Sequence, residues 1–287
     1  MSATPLQNIL TTANQGRAYS SFWADCPEEN IRRGRTNGTF FEDDFVDFGL
    51  PGTQTTEINL GRYKVFSVTA GKWQTDAMPH STTPLGTGGI ISGLGDSDGD
   101  SGAIGTQACP FSLATTVKSK LWFEARIAVT SILTNMTHFF VGLGENAVAT
   151  FAAAVPLDNA NATSATLAMI GFNRLEDGLG VLNTSYADQA ALWTDIQAAA
   201  NSTLAANTWI KLGMTFDFTD QADILRAGRF YVDGVECTSY LTKAALAALT
   251  HVDAKGLGFL MAYYADSAGT ACYHYIDRVK IFQQLPE

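Results

Sequence analysis

Three aspartates in a Gly- and Ser-rich stretch are the residues best suited to metal chemistry. In the sequence GLGDSDGDSG, Asp96, Asp98 and Asp100 alternate with small residues. Acids in this spacing can wrap carboxylate oxygens around Ca²⁺. An EF-hand loop starting at Asp96 would have Gly at its sixth position and Glu at its twelfth, where this chain has Ser101 and Gln107. The three aspartates are therefore candidate Ca²⁺ ligands, and the alternative is a solvated loop that only turns the chain.

The same stretch contains G-x-S-x-G, the pattern of a hydrolase nucleophile elbow, at residues 95–99. That elbow needs a strand before the serine and a helix after it. More Gly and Ser follow here without any helical pattern, so we interpret the match as a coincidence. The histidines have no ligand-type neighbours in the sequence, and we interpret them as ordinary strand or loop residues rather than zinc ligands. They are His80, His138, His251 and His274.

The composition limits the classes of partner. The net charge is −10 and only 16% of residues are charged, which argues against a nucleic-acid partner because phosphate neutralisation needs clustered Lys and Arg. No run approaches the roughly eighteen consecutive apolar residues of a membrane-spanning helix. The N-terminal sequence lacks the basic start and apolar core of a secretory signal. We therefore expect folding in a cytosol, with the scattered cysteines as buried or free thiols.

The clearest structural pattern lies at residues 209–236. Apolar and polar residues alternate over 210–218, which predicts a strand with one buried and one wet face. A second short run, 229–232, ends at Asp233 and Gly234, a pair that accepts the positive φ angles of a tight hairpin turn. The passage predicts antiparallel sheet throughout.

Two further strands and a helix follow from the same kind of pattern. Residues 121–129 alternate with Trp122, Glu124 and Arg126 on the outward phase. In residues 273–282 the apolar phase changes, and a β-bulge near Asp277 would reconcile its two halves. Residues 242–249, TKAALAAL, begin with a good N-cap residue and continue with strong helix formers, so they predict a short helix.

Together these patterns predict an all-β chain. About a dozen short strands, one or two minor helices and no βαβ rhythm indicate two antiparallel sheets packed face to face, as in a jelly-roll sandwich. We assign this domain to residues 41–287.

Residues 1–40 form a separate N-terminal arm in this prediction. They have little periodicity but carry single aromatic residues and a basic cluster. An arm this apolar should lie against something, either its own domain or another subunit. The alternative is that it simply closes its own sandwich. The candidate contact residues are Tyr19, Phe22, Trp23, Arg32, Arg33 and Arg35.

The order of five motifs resembles a known superfamily. LWFEARIAV, FFVGLGE, WIKLGMTFDF, RFYVDG and YIDRVKIF follow one another as in the concanavalin A-like lectin/laminin G superfamily. With the preceding Gly/Asp-rich segment, the chain more narrowly resembles structural proteins of tailed bacteriophages, such as head decoration (cement) or minor virion proteins. The resemblance covers roughly residues 85–285. It implies a concanavalin A-like sandwich.

The resemblance also raises the question of catalysis. Laminarinase-like relatives carry E-x-D-x-x-E on one strand, so that the acids face one cleft. This motif does not occur here, and Glu124 stands alone on its strand with Arg126 as its expected outer-face partner. We therefore predict that the protein is not an enzyme. A degenerate hydrolase would require carboxylates distant in sequence to converge in a cleft.

The resulting functional expectation is a bacteriophage virion protein, most directly a decoration protein that binds the major capsid protein from outside the head. It would be assembled in the host cytoplasm as a homo-oligomer, dimer or trimer, with no cofactor apart from candidate Ca²⁺. Removal of residues 1–35 should abolish capsid binding but leave a folded domain. The alternative is a carbohydrate-binding module, either on a receptor-binding tail fibre or as a free lectin. Exposed aromatic rings would form its platform, the candidates being Trp73, Trp193 and Trp209.

Overall fold

The computed structural model describes residues 21–45, 56–68, 71–75, 91–95, 99–133, 138–153, 168–174, 182–187, 204–219, 225–248, 255–265 and 271–286. The strands in this part of the chain are β1 Gly38–Asp43, β2 Ile58–Leu60, β3 Tyr63–Val68, β4 Lys72–Thr75, β5 Ile91–Gly95, β6 Ser101–Thr106, β7 Lys120–Val129, β8 His138–Gly144, β9 Met169–Arg174, β10 Asn183–Ala187, β11 Ile210–Asp217, β12 Gly228–Val232, β13 Val235–Leu241, β14 Gly258–Tyr264 and β15 Cys272–Gln284. The helices are α1 Glu28–Arg32, α2 Val148–Ala153 and α3 Lys243–Ala248, and a 3₁₀ turn spans Ser21–Trp23. No helix in the described ranges is long and apolar enough to cross a membrane.

The strands form two antiparallel sheets. The eight-stranded sheet has the order β13-β12-β11-β7-β15-β5-β4, and β1 also pairs with β15. The seven-stranded sheet has the order β10-β9-β8-β14-β6-β3-β2. This confirms the predicted all-β, two-sheet antiparallel sandwich with few short helices.

The hairpin at residues 209–236 forms as predicted. In β11, Leu212, Met214 and Phe216 point into the core between the sheets and are fully buried. Strands β12 and β13 are joined by Asp233 and Gly234, whose φ angles are 49° and 81°. Both angles lie in the left-handed region that a two-residue hairpin turn requires. The predicted strand and turn are confirmed.

The predicted bulge in β15 is also confirmed. The register of β15 against β7 shifts between Ile276 and Arg278. Ile276 before the shift and Val279 after it both point into the core, although an uninterrupted strand would place them on opposite faces. The extra residue, Asp277, is thereby placed beside the outward-facing Arg126 of β7.

The prediction that the outer face of β7 and β11 is exposed to solvent is wrong at one end of the sheet. Trp122 points outward, as its phase requires, yet it is fully buried. The 3₁₀ turn and α1 cover it, with Phe22, Trp23 and Ile31 packing in one cluster with Trp122 and residues of β12 and β15. The aromatic side chains of residues 21–32 thus make this outer face a second small core.

Residues 21–43 are part of the sandwich domain, because they pack on the eight-stranded sheet and pair with it. Strand β1 pairs with the second half of β15, so the predicted domain boundary at residue 40 falls within a strand. The predicted arm also includes residues 1–20, which lie outside the described ranges.

The outer face of the seven-stranded sheet is filled by apolar side chains. Helix α2 lies over β6 and β3, and Phe151 from this helix clusters with Phe140, Met169 and Leu260 from the strands. None of the seven strands contains Asp or Glu. This face therefore offers no strand carboxylate for acid–base chemistry.

The helix predicted at residues 242–249 is confirmed as α3. The hydroxyl of Thr242 accepts a hydrogen bond of 3.0 Å from the backbone N–H of Ala245, which is an N-cap contact. Leu246 is buried and anchors the helix to the core.

Candidate functional site

A cleft of about 620 Å³ lies on the outer face of the eight-stranded sheet. Its floor comes from three adjacent strands, with Glu124 and Arg126 from β7, Lys211 from β11, and Asp277 and Arg278 from β15. Its rim comes from β1, the residues that flank it, and Arg62 in the turn between β2 and β3. The bulge in β15 is what allows two consecutive residues of that strand to line the same cleft.

Three basic residues form a row across the floor. Lys211 lies directly opposite Arg126 in the β11–β7 pair, and Arg126 lies directly opposite Arg278 in the β7–β15 pair. Neighbouring strands are about 4.8 Å apart, so the backbone positions of the row span about 10 Å. Like charges directly opposite each other destabilise a strand pair, so this row needs nearby carboxylates or an anionic ligand.

Asp277 supplies part of that compensation. Its Oδ2 accepts a hydrogen bond of 2.8 Å from Nη1 of Arg126. Its Oδ1 is buried and has no hydrogen-bond partner among the described residues, and the residue is only 8% exposed. Burial raises the pKa of Asp277 to about 6, although the positive charges of Arg126 and Arg278 act to lower it.

This raised pKa predicts a pH-dependent contribution to stability. The folded state holds the Asp277 proton more tightly than the unfolded state, so the stability it contributes is full below about pH 4 and is lost as the pH rises through 6. Asp277→Asn cannot ionise. We expect the free energy of unfolding of the wild type, relative to the variant, to fall by about 2 kcal/mol between pH 4 and pH 7.

Urea denaturation of both proteins across this pH range measures the difference. The substitution keeps the shape of the side chain, so the comparison isolates its ionisation. A difference that does not change with pH would show that Asp277 titrates as it does in the unfolded chain.

The rim carries the opposite charge to the floor. Glu42 accepts a hydrogen bond of 2.9 Å from Nη2 of Arg278 and also pairs with Arg32. Burial alone would raise the pKa of Glu42, but hydrogen bonds from Arg278 and Arg32 outweigh it and hold the pKa below its usual value. Asp43 and Asp44 extend this acidic rim.

The predicted contact residues lie in three different settings. Phe22 and Trp23 are buried against their own sheet, with 3% and 7% of their surface exposed. Arg32 lies with its guanidinium over the rings of Phe40 and Phe282, at 5.6 and 5.2 Å.

The remaining candidates are two exposed arginines and one tyrosine. Arg33 is exposed and forms an ion pair of 3.1 Å with Glu29, and Arg35 is exposed. Tyr19 lies outside the described residues. Trp23 and Arg32 both contact the ring of Phe282, and a contact role for any of the candidates stays a prediction.

The predicted pairing of Glu124 with Arg126 is wrong. Oε2 of Glu124 accepts a hydrogen bond of 2.9 Å from Nε1 of Trp23, and Arg126 pairs with Asp277. The bulge brings Asp277 within reach of Arg126, and residues 21–23 bring the indole over Glu124. Two carboxylates distant in sequence, Glu124 and Asp277, therefore do line one cleft, but each is held by a donor of this chain.

The predicted calcium ligands are described only in part. Asp96 and Asp98 lie outside the described residues, and Asp100 is fully buried just before β6. Among the described side chains, no three of His, Cys, Asp or Glu converge closely enough to hold a metal ion. The Ca²⁺ site therefore stays a prediction.

The three tryptophans predicted as candidate sugar platforms lie in different environments. Trp73 is fully buried in the core against Tyr263. Trp209 is half-buried on the outer face, and the guanidinium of Arg126 lies 4.9 Å from its ring centroid. Trp193 lies outside the described residues.

The sequence signal that could have revealed the cleft is the outward phase of β7 combined with the predicted bulge. Both were visible in the sequence. Lys211, Arg278 and Glu42 reach the same cleft only because β11, β15 and β1 lie next to one another or to β7 in the sheet. This strand order depends on contacts between residues far apart in the chain.

Comparison with known proteins gives the fold. No protein-family model and no curated protein matches the chain. A solved protein of unknown function from Shewanella oneidensis MR-1 is 14% identical with a TM-score of 0.51, over 90% of this chain and 94% of that one. An endo-1,3-β-glucanase from Streptomyces sioyaensis is 16% identical with a TM-score of 0.51, over 87% of this chain and 97% of that one. At these identities the likeness extends to the fold alone, and the chain has the concanavalin A-like jelly-roll sandwich fold.

Proposed function

We propose that this protein is a structural component of a bacteriophage virion, most directly a decoration protein that binds the outside of the head and stabilises it. Its partner in this role is the major capsid protein, and its copies are dimers or trimers matched to the symmetry of the shell. The proposal starts from the order of motifs that resembles phage virion proteins. Many copies, each burying on the order of 1,200–2,000 Å², would oppose the pressure of the packaged DNA.

The structural observation that supports this role best is how the two outer faces differ. The outer face of the seven-stranded sheet is filled by apolar packing with α2. The outer face of the eight-stranded sheet carries a cleft lined by charges of both signs. At the β13 edge, Val235 and Tyr240 are 54% and 42% exposed. Charged surface and exposed apolar residues on the same sheet suit contact with another protein.

The test is the composition of purified particles. DNA-filled heads separated on a density gradient should contain the protein in many copies, and heads assembled without it should bind the purified protein. Heads that lack it should also release DNA at a lower temperature. Absence of the protein from purified particles would contradict the proposal.

The N-terminal residues give a sharper prediction within this role. Deletion of residues 1–20 leaves the packing of Phe22, Trp23 and Ile31 in place, so we expect an unchanged thermal midpoint and loss of head binding. Deletion of residues 1–35 would also remove that packing, so it no longer tests binding alone. Normal decoration by the protein lacking residues 1–20 would rule out an essential contact by this segment.

A carbohydrate-binding module is the second candidate. The observation that favours it is the half-buried Trp209 beside the outer cleft, since an aromatic ring next to polar groups can stack against a sugar. A glycan array with and without Ca²⁺ tests this role. Strong binding that Trp209→Ala abolishes would favour it over decoration, and the absence of any binding would remove it.

A further inference from the structure

The outer cleft is electrically polarised. Its floor holds three basic residues, Arg126, Lys211 and Arg278, against two acids, Glu124 and Asp277. The rim has the reverse balance, with two arginines, Arg32 and Arg62, against Glu42, Asp43 and Asp44. A ligand that fits both parts must carry negative charge towards the floor and positive charge towards the rim.

One floor group has a charge that no described residue pairs. Lys211 is exposed and makes no ion pair with a described residue, although it lies in a row of like charges with Arg126 and Arg278. An anionic group placed over this row would be attracted to all three basic residues.

An extended peptide segment with an acidic and a basic residue supplies both charges. Its Asp or Glu carboxylate can pair with the basic row through charge-assisted hydrogen bonds. A neighbouring Lys or Arg can reach Asp43 and Asp44. A cation alone would be repelled by the three basic residues around Asp277, so the carboxylate must be the group placed on the floor.

We propose that this cleft is the docking site for an extended segment of the capsid protein that places a carboxylate over the Lys211–Arg126–Arg278 row and a basic side chain against Asp43 and Asp44. This inference rests on the proposed function and adds to it the surface and the charge pattern of the partner. It assigns Lys211 as the contact residue whose charge forms no ion pair with any described residue.

The test compares two charge reversals of equal size. Lys211→Glu changes the cleft floor, whereas Lys118→Glu makes the same change at an exposed lysine outside the cleft. The labelled proteins are titrated onto heads assembled without the protein, at low and at high salt. We expect Lys211→Glu to weaken head binding at least tenfold and Lys118→Glu to change it less than twofold. The difference should shrink at high salt, because exposed charges are screened.

The outcomes separate the docking site from the decoration role. If the wild type binds heads and Lys211→Glu binds as Lys118→Glu does, the docking site is wrong and the decoration role stands. If the wild type does not bind heads, the decoration role fails and the docking inference fails with it. Circular dichroism checks that each variant folds. If Lys211→Glu does not fold, Lys211→Gln replaces it, since this variant removes the charge without reversing it. Lys211→Gln should weaken head binding about threefold or more.

Discussion

Trp122→Ala should lower the free energy of unfolding by about 4 kcal/mol, the effect typical of a large aromatic residue in a protein core. Trp122 lies on the outward phase of β7, yet it is fully buried. Its Nε1 donates a hydrogen bond of 3.0 Å to Asp25, and the Nζ of Lys120 lies 5.4 Å from its ring centroid. Truncation to Ala would leave a cavity beneath Phe22 and Trp23 and would remove the indole donor to Asp25, whose other carboxylate oxygen still pairs with Lys120.

Trp209→Ala is the matched control. Trp209 lies on the outer face of the same sheet, but it is only half-buried and its main contacts are Arg126 and Tyr275. We expect its truncation to cost about 1–2 kcal/mol, since less apolar surface is removed from water in the folded state. Urea denaturation followed by far-UV circular dichroism measures both. A loss below about 1 kcal/mol for Trp122→Ala would mean that residues 21–32 do not cover the sheet.

The case of Trp122 shows how far periodicity predicts this fold. Alternation identified β7 and β11 and their phase, and the Asp233–Gly234 pair identified the hairpin turn, because these features depend on near neighbours in the chain. Alternation says which side of a strand a residue faces. It does not say what lies over that side, and here residues about 100 positions earlier in the chain cover Trp122.

The site was less predictable than the fold for the same reason. The bulge near Asp277 followed from the change of apolar phase within β15, which is local information. The basic row required knowing that β7 lies between β11 and β15, and strand order is not encoded in any short segment. Glu124 and Arg126 do not pair with each other, although they lie two residues apart on one strand. Glu124 binds Trp23 and Arg126 binds Asp277, and both partners come from distant parts of the chain.

Acidification provides the second large expected effect, through His274. This residue is fully buried in β15, with its ring stacked on Tyr263 at a centroid distance of 5.1 Å. Burial lowers the pKa of His274 to about 3, with the electrostatic effects of Arg174 and His138 acting in the same direction and a hydrogen bond to the carbonyl of Gly93 opposing them. His274 therefore stays neutral in the folded protein at any pH above about 4.

The sign of the effect follows from where the proton binds. An unfolded histidine has a pKa near 6.5, so between pH 6.5 and pH 3 the unfolded state takes up a proton that the folded state refuses. Stability is then present above about pH 6.5 and lost as the pH falls. At pH 4 the loss attributable to His274 should be about 3 kcal/mol relative to pH 7.

His274→Gln isolates this contribution because glutamine is polar but does not titrate in this range. The variant should be less stable than the wild type at pH 7, since it loses the stacking on Tyr263, but the difference should shrink by about 3 kcal/mol on going to pH 4. Asp277 changes stability in the opposite direction over nearly the same range, and Glu42 changes it in the same direction, so the wild-type curve alone does not isolate His274. Comparing the two proteins at each pH cancels the Asp277 contribution. A difference that is constant from pH 7 to pH 4 would mean that His274 accepts a proton in the folded state.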